Sequence, residues 1–203
     1  MFQTNVEEWR RMAPRGGPRA SDAMTDATRT MPGMATPDDL FARLTALGID
    51  TATHAHRPVF TVEESRDLRG ELPGIHCKTL FFKDKKTALW LCVVEESRRM
   101  DIRALSDLLG SARLSFARPE RVNEHLGVEP GAVTPFALIN DTSADISVVL
   151  DAELMKADLA NFHPLVNDRT TAIRPADLVR FIEACGHRPA IVDLGPATAV
   201  KED

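Results

Sequence analysis

Gly127-Val128-Glu129-Pro130-Gly131-Ala132-Val133-Thr134-Pro135-Phe136-Ala137-Leu138-Ile139-Asn140-Asp141 is the stretch on which the fold turns. Two glycines and two prolines stand ahead of an apolar run. Glycine lets a backbone approach a ligand closely and take conformations barred to other residues. Proline fixes φ, restricts the residue before it and removes a donor. Gly131 to Pro135 therefore reads as a shaped loop of backbone N–H groups, feeding a buried strand at Phe136–Ile139. Such a loop on a rigid strand can hold a carbonyl or an oxyanion. A tight turn between two elements explains the same residues. On shape alone both readings stand.

Working back from the loop, Pro119–Leu126 reads as a helix stopped by Gly127, and Arg113–Phe116 as a short strand. Asp101 caps a helix carrying Ile102, Leu105, Leu108 and Leu109, closed by Gly110. Thr79–Phe82 and Thr87–Val94 form two strands around a polar hairpin loop, Lys83-Asp84-Lys85-Lys86. The second strand is apolar on both faces, as at the centre of a sheet. Leu72-Pro73-Gly74 is a turn, and Thr61-Val62-Glu63-Glu64 is a capping box for a helix ending near Gly70. Thr51–His56 is extended. Thr36-Pro37-Asp38-Asp39 starts a helix with Leu40, Phe41, Leu44 and Leu47 on one face.

Forward of the loop, Asn140–Asp145 is a polar turn. Strands are expected at Ile146–Leu150, Leu159–Phe162 and Thr171–Ile173, and a helix at Pro175–Ala184. Hairpins mixed with helical crossovers predict an α/β domain: a mixed, largely antiparallel sheet surrounded by helices. That domain spans residues 36–194. Residues 1–35 mix Arg10, Arg11, Arg15 and Arg19 with prolines and glycines and lack apolar periodicity, the composition of a poorly ordered extension. Residues 195–203 read as a loose tail.

Bulk properties narrow the function classes. A chain of 203 residues with 43% hydrophobic content can build one real core. A net charge of -5 gives no global basic field, so any RNA contact must be local. Cys77, Cys92 and Cys185 are odd in number and show no CxxC spacing, which speaks against a disulfide framework or zinc site and suits a reducing, cytoplasmic setting. No apolar run approaches the ~18 residues that would read as a membrane-spanning helix. There is no GxGxxG, no Walker A motif and no GxSxG elbow.

Several residues could carry chemistry. Lys78, at a strand entry, can reach into a cleft and meet a phosphate or developing negative charge, or simply lie solvated on an edge. His163 precedes Pro164, which holds it extended; it can accept a proton or bond a substrate amine or hydroxyl, or be satisfied by a backbone carbonyl. His54 and His56 share one strand face as metal ligands do, but no third ligand has suitable spacing, and no metal is expected. Cys77 beside Lys78 is better read as a small core residue than as an activated thiol. Lys83, Lys85, Lys86, Arg98, Arg99, Arg118 and Arg121 could meet RNA phosphates or be plain solvated charges. With no obvious covalent nucleophile, hydrolysis would proceed by direct attack of water.

Five blocks occur in the same order as in a known family: Pro58–Glu64, Leu72–Phe81, Leu114–Ala117, Gly131–Phe136 and Asn161–Leu165. Over about residues 36–194 the chain resembles the YbaK / prolyl-tRNA-synthetase-associated editing domains, most of all the freestanding ProX (PrdX, ProXp-ala) branch. The resemblance implies a trans-acting aminoacyl-tRNA deacylase that hydrolyses the ester of alanine mischarged on proline tRNA, without a cofactor. It implies Lys78 as the essential lysine, acting on the terminal phosphate or on transition-state charge. It implies Gly131, Ala132, Val133, Thr134 and Pro135 as the GxxxP loop that polarises the ester carbonyl, and His163 as the pocket histidine. Thr79 stands where many members carry asparagine, a departure that bears on amino-acid preference. The implied partners are the acceptor end of mischarged proline tRNA and, transiently, prolyl-tRNA synthetase or elongation factor, with no membrane. An aminoacyl-tRNA or amino-acid binding module without turnover, and a deacylase for cysteinyl-tRNA(Pro), stay open as alternatives.

Overall fold

A computed structural model describes residues 33–56 and 72–195. The helix expected from Thr61, the extension at 1–32 and the tail at 196–203 lie outside the described residues. Helix α1 (Pro37–Ala46) begins at Thr36, whose side chain accepts from the Asp39 N–H while Asp39 accepts from the Thr36 N–H. This reciprocal box satisfies two donors that the first turn leaves bare. Its inward face buries Leu40 and Leu44. Helices α2 (Ile102–Leu109), α3 (Pro119–Leu126) and α4 (Pro175–Ala184) follow. The Asp101 side chain caps α2 by accepting from the Arg103 and Ala104 N–H groups.

The described strands are β1 (Ala52–Ala55), β2 (Ile75–Lys83), β3 (Leu89–Glu95), β4 (Ser115–Phe116), β5 (Ile146–Asp151), β6 (Ala160–Phe162), β7 (Arg169–Ile173) and β8 (Ala190–Val192). They form one eight-stranded sheet in the order β1-β7-β6-β2-β3-β5-β8, with β4 also paired to β2. The sheet is mixed and mostly antiparallel, as expected; β2–β6, β3–β5 and β5–β8 are its parallel pairs. The short strand β8 carried no sequence signal of its own and is held by pairing Val149–Asp151 of β5 with Ala190–Val192.

The stretch after the loop differs from expectation. Phe136–Ile139 is not a strand but part of a 3-10 helix, Pro135–Asn140. Periodicity cannot separate a short apolar run in a strand from one in a buried helix, and the caps decide. Pro135 takes the first position, the Thr134 hydroxyl accepts from the Phe136 N–H at 3.3 Å, and the Asp141 N–H closes on Leu138. The Asn140 amide accepts from Ala35 N–H at 2.8 Å and donates to the Leu126 carbonyl at 2.8 Å, tying the helix end to two other segments. Phe136 is fully buried, edge-on to Phe162 (5.9 Å) and Phe181 (5.5 Å). Such burial contributes roughly 1.5–3 kcal/mol.

Strand alternation divides the sheet's contacts into two faces. Ile75, Cys77 and Phe81 of β2, with Ala160 and Phe162 of β6 and Ile173 of β7, face the larger core together with Ala132, Val133 and Phe136. Leu80 and Phe82 face a smaller core with Cys92, Leu105 and Leu114. His76 and Lys78 therefore share the face of Leu80 and Phe82.

Candidate active site

On one edge β2 is used twice. Its start pairs with β6 through Ile75 and His76, and its end pairs with β4 through Phe82 and Lys83. Among the described residues no strand pairs with positions 77–80 on that side, and the Ala117 N–H after β4 takes the Phe81 carbonyl at 2.9 Å. The Glu96 N–H donates to the His76 carbonyl, which marks 76 and 96 as a bonded pair across the hairpin. By alternation the backbone of Thr79 points the other way, into the gap. Lys78 and Thr79 thus stand at an opening in the sheet.

A polar face surrounds that opening. Asn161 is paired with His76 across the parallel ladder, and its side-chain amide donates to the carbonyls of Pro73 (3.0 Å) and Ile75 (3.3 Å). Thr170 of β7 lies on the same side and contacts His56 Nε2 through its hydroxyl at 2.9 Å. His54, directly opposite Thr170 in the ladder, is exposed. The described residues contain no group of three His, Cys, Asp or Glu side chains arranged to hold a metal ion.

His163 follows β6 directly, with its ring centroid 6.0 Å from that of His56. Its Nδ1 lies 2.9 Å from the carbonyl of Arg169. Burial pushes the imidazole pKa down, more than the Arg169 carbonyl raises it, and His56 lowers it further. The ring is then neutral at neutral pH. A neutral ring with a carbonyl at Nδ1 carries its proton there, leaving Nε2 as an acceptor. The turn beyond is tight: Leu165 N–H reaches back to the His163 carbonyl at 3.0 Å, and buried Leu165 takes a left-handed φ of 68°. That conformation is costly for leucine and is held by its packing in the larger core.

Lys78 is half-buried. Burial lowers its pKa, while Glu96 and Glu95 raise it and Arg98 lowers it. Its ammonium donates to the Arg98 carbonyl. A carbonyl steers an ammonium without cancelling its charge. Cys77, one residue away, faces the larger core, and burial pushes its thiol pKa up, so it is not an activated nucleophile. Cys92 and Cys185 are likewise raised, to about 12 and about 11, by burial.

The stretch Gly131–Pro135 is not all loop: Gly131 and Ala132 belong to a 3-10 turn, Pro130–Ala132, and Pro135 opens the next one. Phe136 packs on Phe162, the residue before His163. A Cβ placed on Gly131 would lie 3.9 Å from Asn167 Nδ2. Within the loop, Ala132 N–H is taken by the Glu129 carbonyl at 2.8 Å. No acceptor among the described residues takes the N–H of Gly131 or Thr134. No hydrogen bond among the described residues links this loop to Lys78. Arg98, one of the cations considered for RNA, is buried against Asp151 and drops out of that set. Sequence reasoning also passed over His76, Asn161 and Asp151, each an ordinary polar residue until the ladder register gives it neighbours.

The aminoacyl-tRNA editing domain family matches residues 56–181, more than half of the chain. The chain belongs to that family. It is 40% identical over 151 residues to the prolyl-tRNA synthetase associated domain-containing protein 1 of Danio rerio, covering 73% of this chain and 82% of that protein. It is 32% identical over 156 residues to the prolyl-tRNA editing protein ProX of Acetoanaerobium sticklandii, covering 76% of this chain and 95% of that protein. A solved structure described as a candidate trans-editing enzyme for prolyl tRNA synthetase superimposes with a TM-score of 0.58 at 21% identity, over 80% of this chain and 100% of that one. That likeness establishes the shared fold. By family the chain is an aminoacyl-tRNA deacylase. No helix among the described residues is long and apolar enough to cross a membrane.

Proposed function

We propose that this editing domain acts in trans on proline tRNA mischarged with alanine and hydrolyses the ester that joins them. A synthetase pocket shaped for proline rejects a smaller amino acid weakly, because missing methylenes cost only about 1–3 kcal/mol; a second, hydrolytic site restores fidelity. The observation that carries the reading is the loop. Gly131 and Thr134 present N–H groups with no acceptor among the described residues, on a segment fixed at both ends. Aimed at the ester carbonyl, they stabilise the oxyanion that forms when water attacks. Val133 and Pro135 shape the loop around the alanyl group, and Thr79 borders it from the opening in the sheet. Neutral His163 offers Nε2 to the substrate amine or to the attacking water. Lys78 offers charge to the terminal phosphate or to the transition state. Only the acceptor end of the tRNA is engaged, in keeping with a net charge of -5.

Single-turnover hydrolysis of alanyl-, cysteinyl- and prolyl-tRNA(Pro) tests the reading. Rapid loss of alanine alone is expected. Preferred loss of cysteine would reassign the substrate, and binding without hydrolysis of any of the three would remove the enzyme claim for these substrates and leave the binding-module reading ahead.

A further inference from the structure

Arg98 and Asp151 form a buried ion pair for which hydrolysis, as described, has no use. Arg98 Nε lies 2.6 Å from Asp151 Oδ2, with side chains 8% and 0% exposed. The guanidinium donates to the Gly195 carbonyl at 2.7 Å. Asp151 ends β5, and its other oxygen accepts from the Glu153 N–H at 3.2 Å. Arg98 itself closes a turn after β3, its N–H donating to the Glu95 carbonyl at 3.1 Å. The carboxylate of Glu95 is engaged by the Ser97 N–H and hydroxyl rather than by Lys78. This turn presents the Arg98 carbonyl to Lys78, with the charge of Glu96 acting beside it.

Desolvating two charges is costly, and an apolar pair of similar volume often serves stability equally well or better. What a buried ion pair can supply instead is a fixed geometry. Here that geometry is the direction of one carbonyl. We propose that Arg98 and Asp151 are positioning residues for Lys78: the ion pair locks the turn, and the turn's carbonyl fixes where the ammonium stands. The benefit to hydrolysis rests on the function proposed above; the positioning itself does not.

The test separates the two. In substrate-free protein, proton-detected nitrogen NMR of lysine side chains, at mildly acid pH, reads the ammonium of Lys78, assigned by its loss in Lys78→Met. A hydrogen-bonded, slowly exchanging resonance is expected. The paired change Arg98→Met/Asp151→Leu removes both charges without stranding either. It should abolish that resonance and leave those of the surface lysines unchanged. Should the paired variant not fold, Asp151→Asn is read in the same way. A Lys78 resonance that persists in the folded variant overturns the proposal, as does the absence of slow exchange in the wild type. Hydrolysis should fall at least tenfold in kcat with KM within about twofold. If the resonance is lost and hydrolysis is unchanged, the positioning stands and the catalytic role of Lys78 falls.

Discussion

Gly74 directly precedes β2 and Gly131 lies in the 3-10 turn Pro130–Ala132, and they are glycines for different reasons. Gly74 has φ +97°, and a Cβ there would meet the Leu159 carbonyl oxygen at 2.6 Å. The backbone fold itself requires the missing side chain. Gly131 has no left-handed φ, and its Cβ would find only Asn167 Nδ2, at an ordinary 3.9 Å. Nothing in the described fold asks for glycine at Gly131. A ligand brought against the loop would. The contrast separates a residue that serves the architecture from one that leaves room for something else.

Substitutions sharpen that contrast. Gly74→Ala should destabilise the protein by roughly 2–3 kcal/mol through backbone strain and the clash with Leu159, read as a lowered urea midpoint. Gly131→Ala should leave stability within about 0.5 kcal/mol yet reduce single-turnover hydrolysis at least tenfold, a loss of about 1.4 kcal/mol in the barrier. Full activity in a folded Gly131→Ala protein would return the loop to the status of a simple turn.

His163 gives the next test. Its pKa is depressed by burial, with His56, His76 and Asp168 as the charged groups acting on it. Hydrolysis that needs the neutral ring should therefore hold steady below the ordinary histidine value and fall only as pH drops through the lower folded value. Stability follows the same sign. The unfolded imidazole binds the proton more readily, so the contribution of the neutral ring is complete above the unfolded pKa and is lost as pH falls through the folded one. His163→Gln should remove that acid limb from the pH–rate profile. The smallest effect belongs to Thr134→Val. It deletes the hydroxyl that caps the Phe136 N–H and should cost about 1 kcal/mol, checked by thermal melting.

The sequence made the architecture readable where local chemistry is strong. Thr36, Asp101 and Pro119 announce their helices through caps and first-turn proline, and the β2–β3 hairpin follows from a polar loop between apolar runs. The 3-10 helix at Pro135–Asn140 was hidden because four apolar residues fit a strand equally well, and only Phe162 and Phe181, distant in sequence, settle its form. Strand β8 was hidden because it exists by pairing with β5. The resemblance singled out Lys78, Gly131 and His163, and the fold ties the loop to the His163 segment through Phe136 and Phe162. A backbone carbonyl behind His163 was one of the two expectations and is what Nδ1 meets; which carbonyl it is was not readable. The Arg169 carbonyl behind His163 and the Arg98 carbonyl behind Lys78 are backbone atoms, which leave no mark on a sequence.

Single-turnover hydrolysis of alanyl-tRNA(Pro) by wild type and Lys78→Ala, with tRNA binding measured on the same preparations, decides whether the polar face of the sheet carries the chemistry. The expected result is a loss of at least 100-fold in the hydrolysis rate, in the range seen when one transition-state donor is removed, with binding weakened far less and the melting temperature close to wild type. Hydrolysis within twofold of wild type in a folded Lys78→Ala protein would contradict the account.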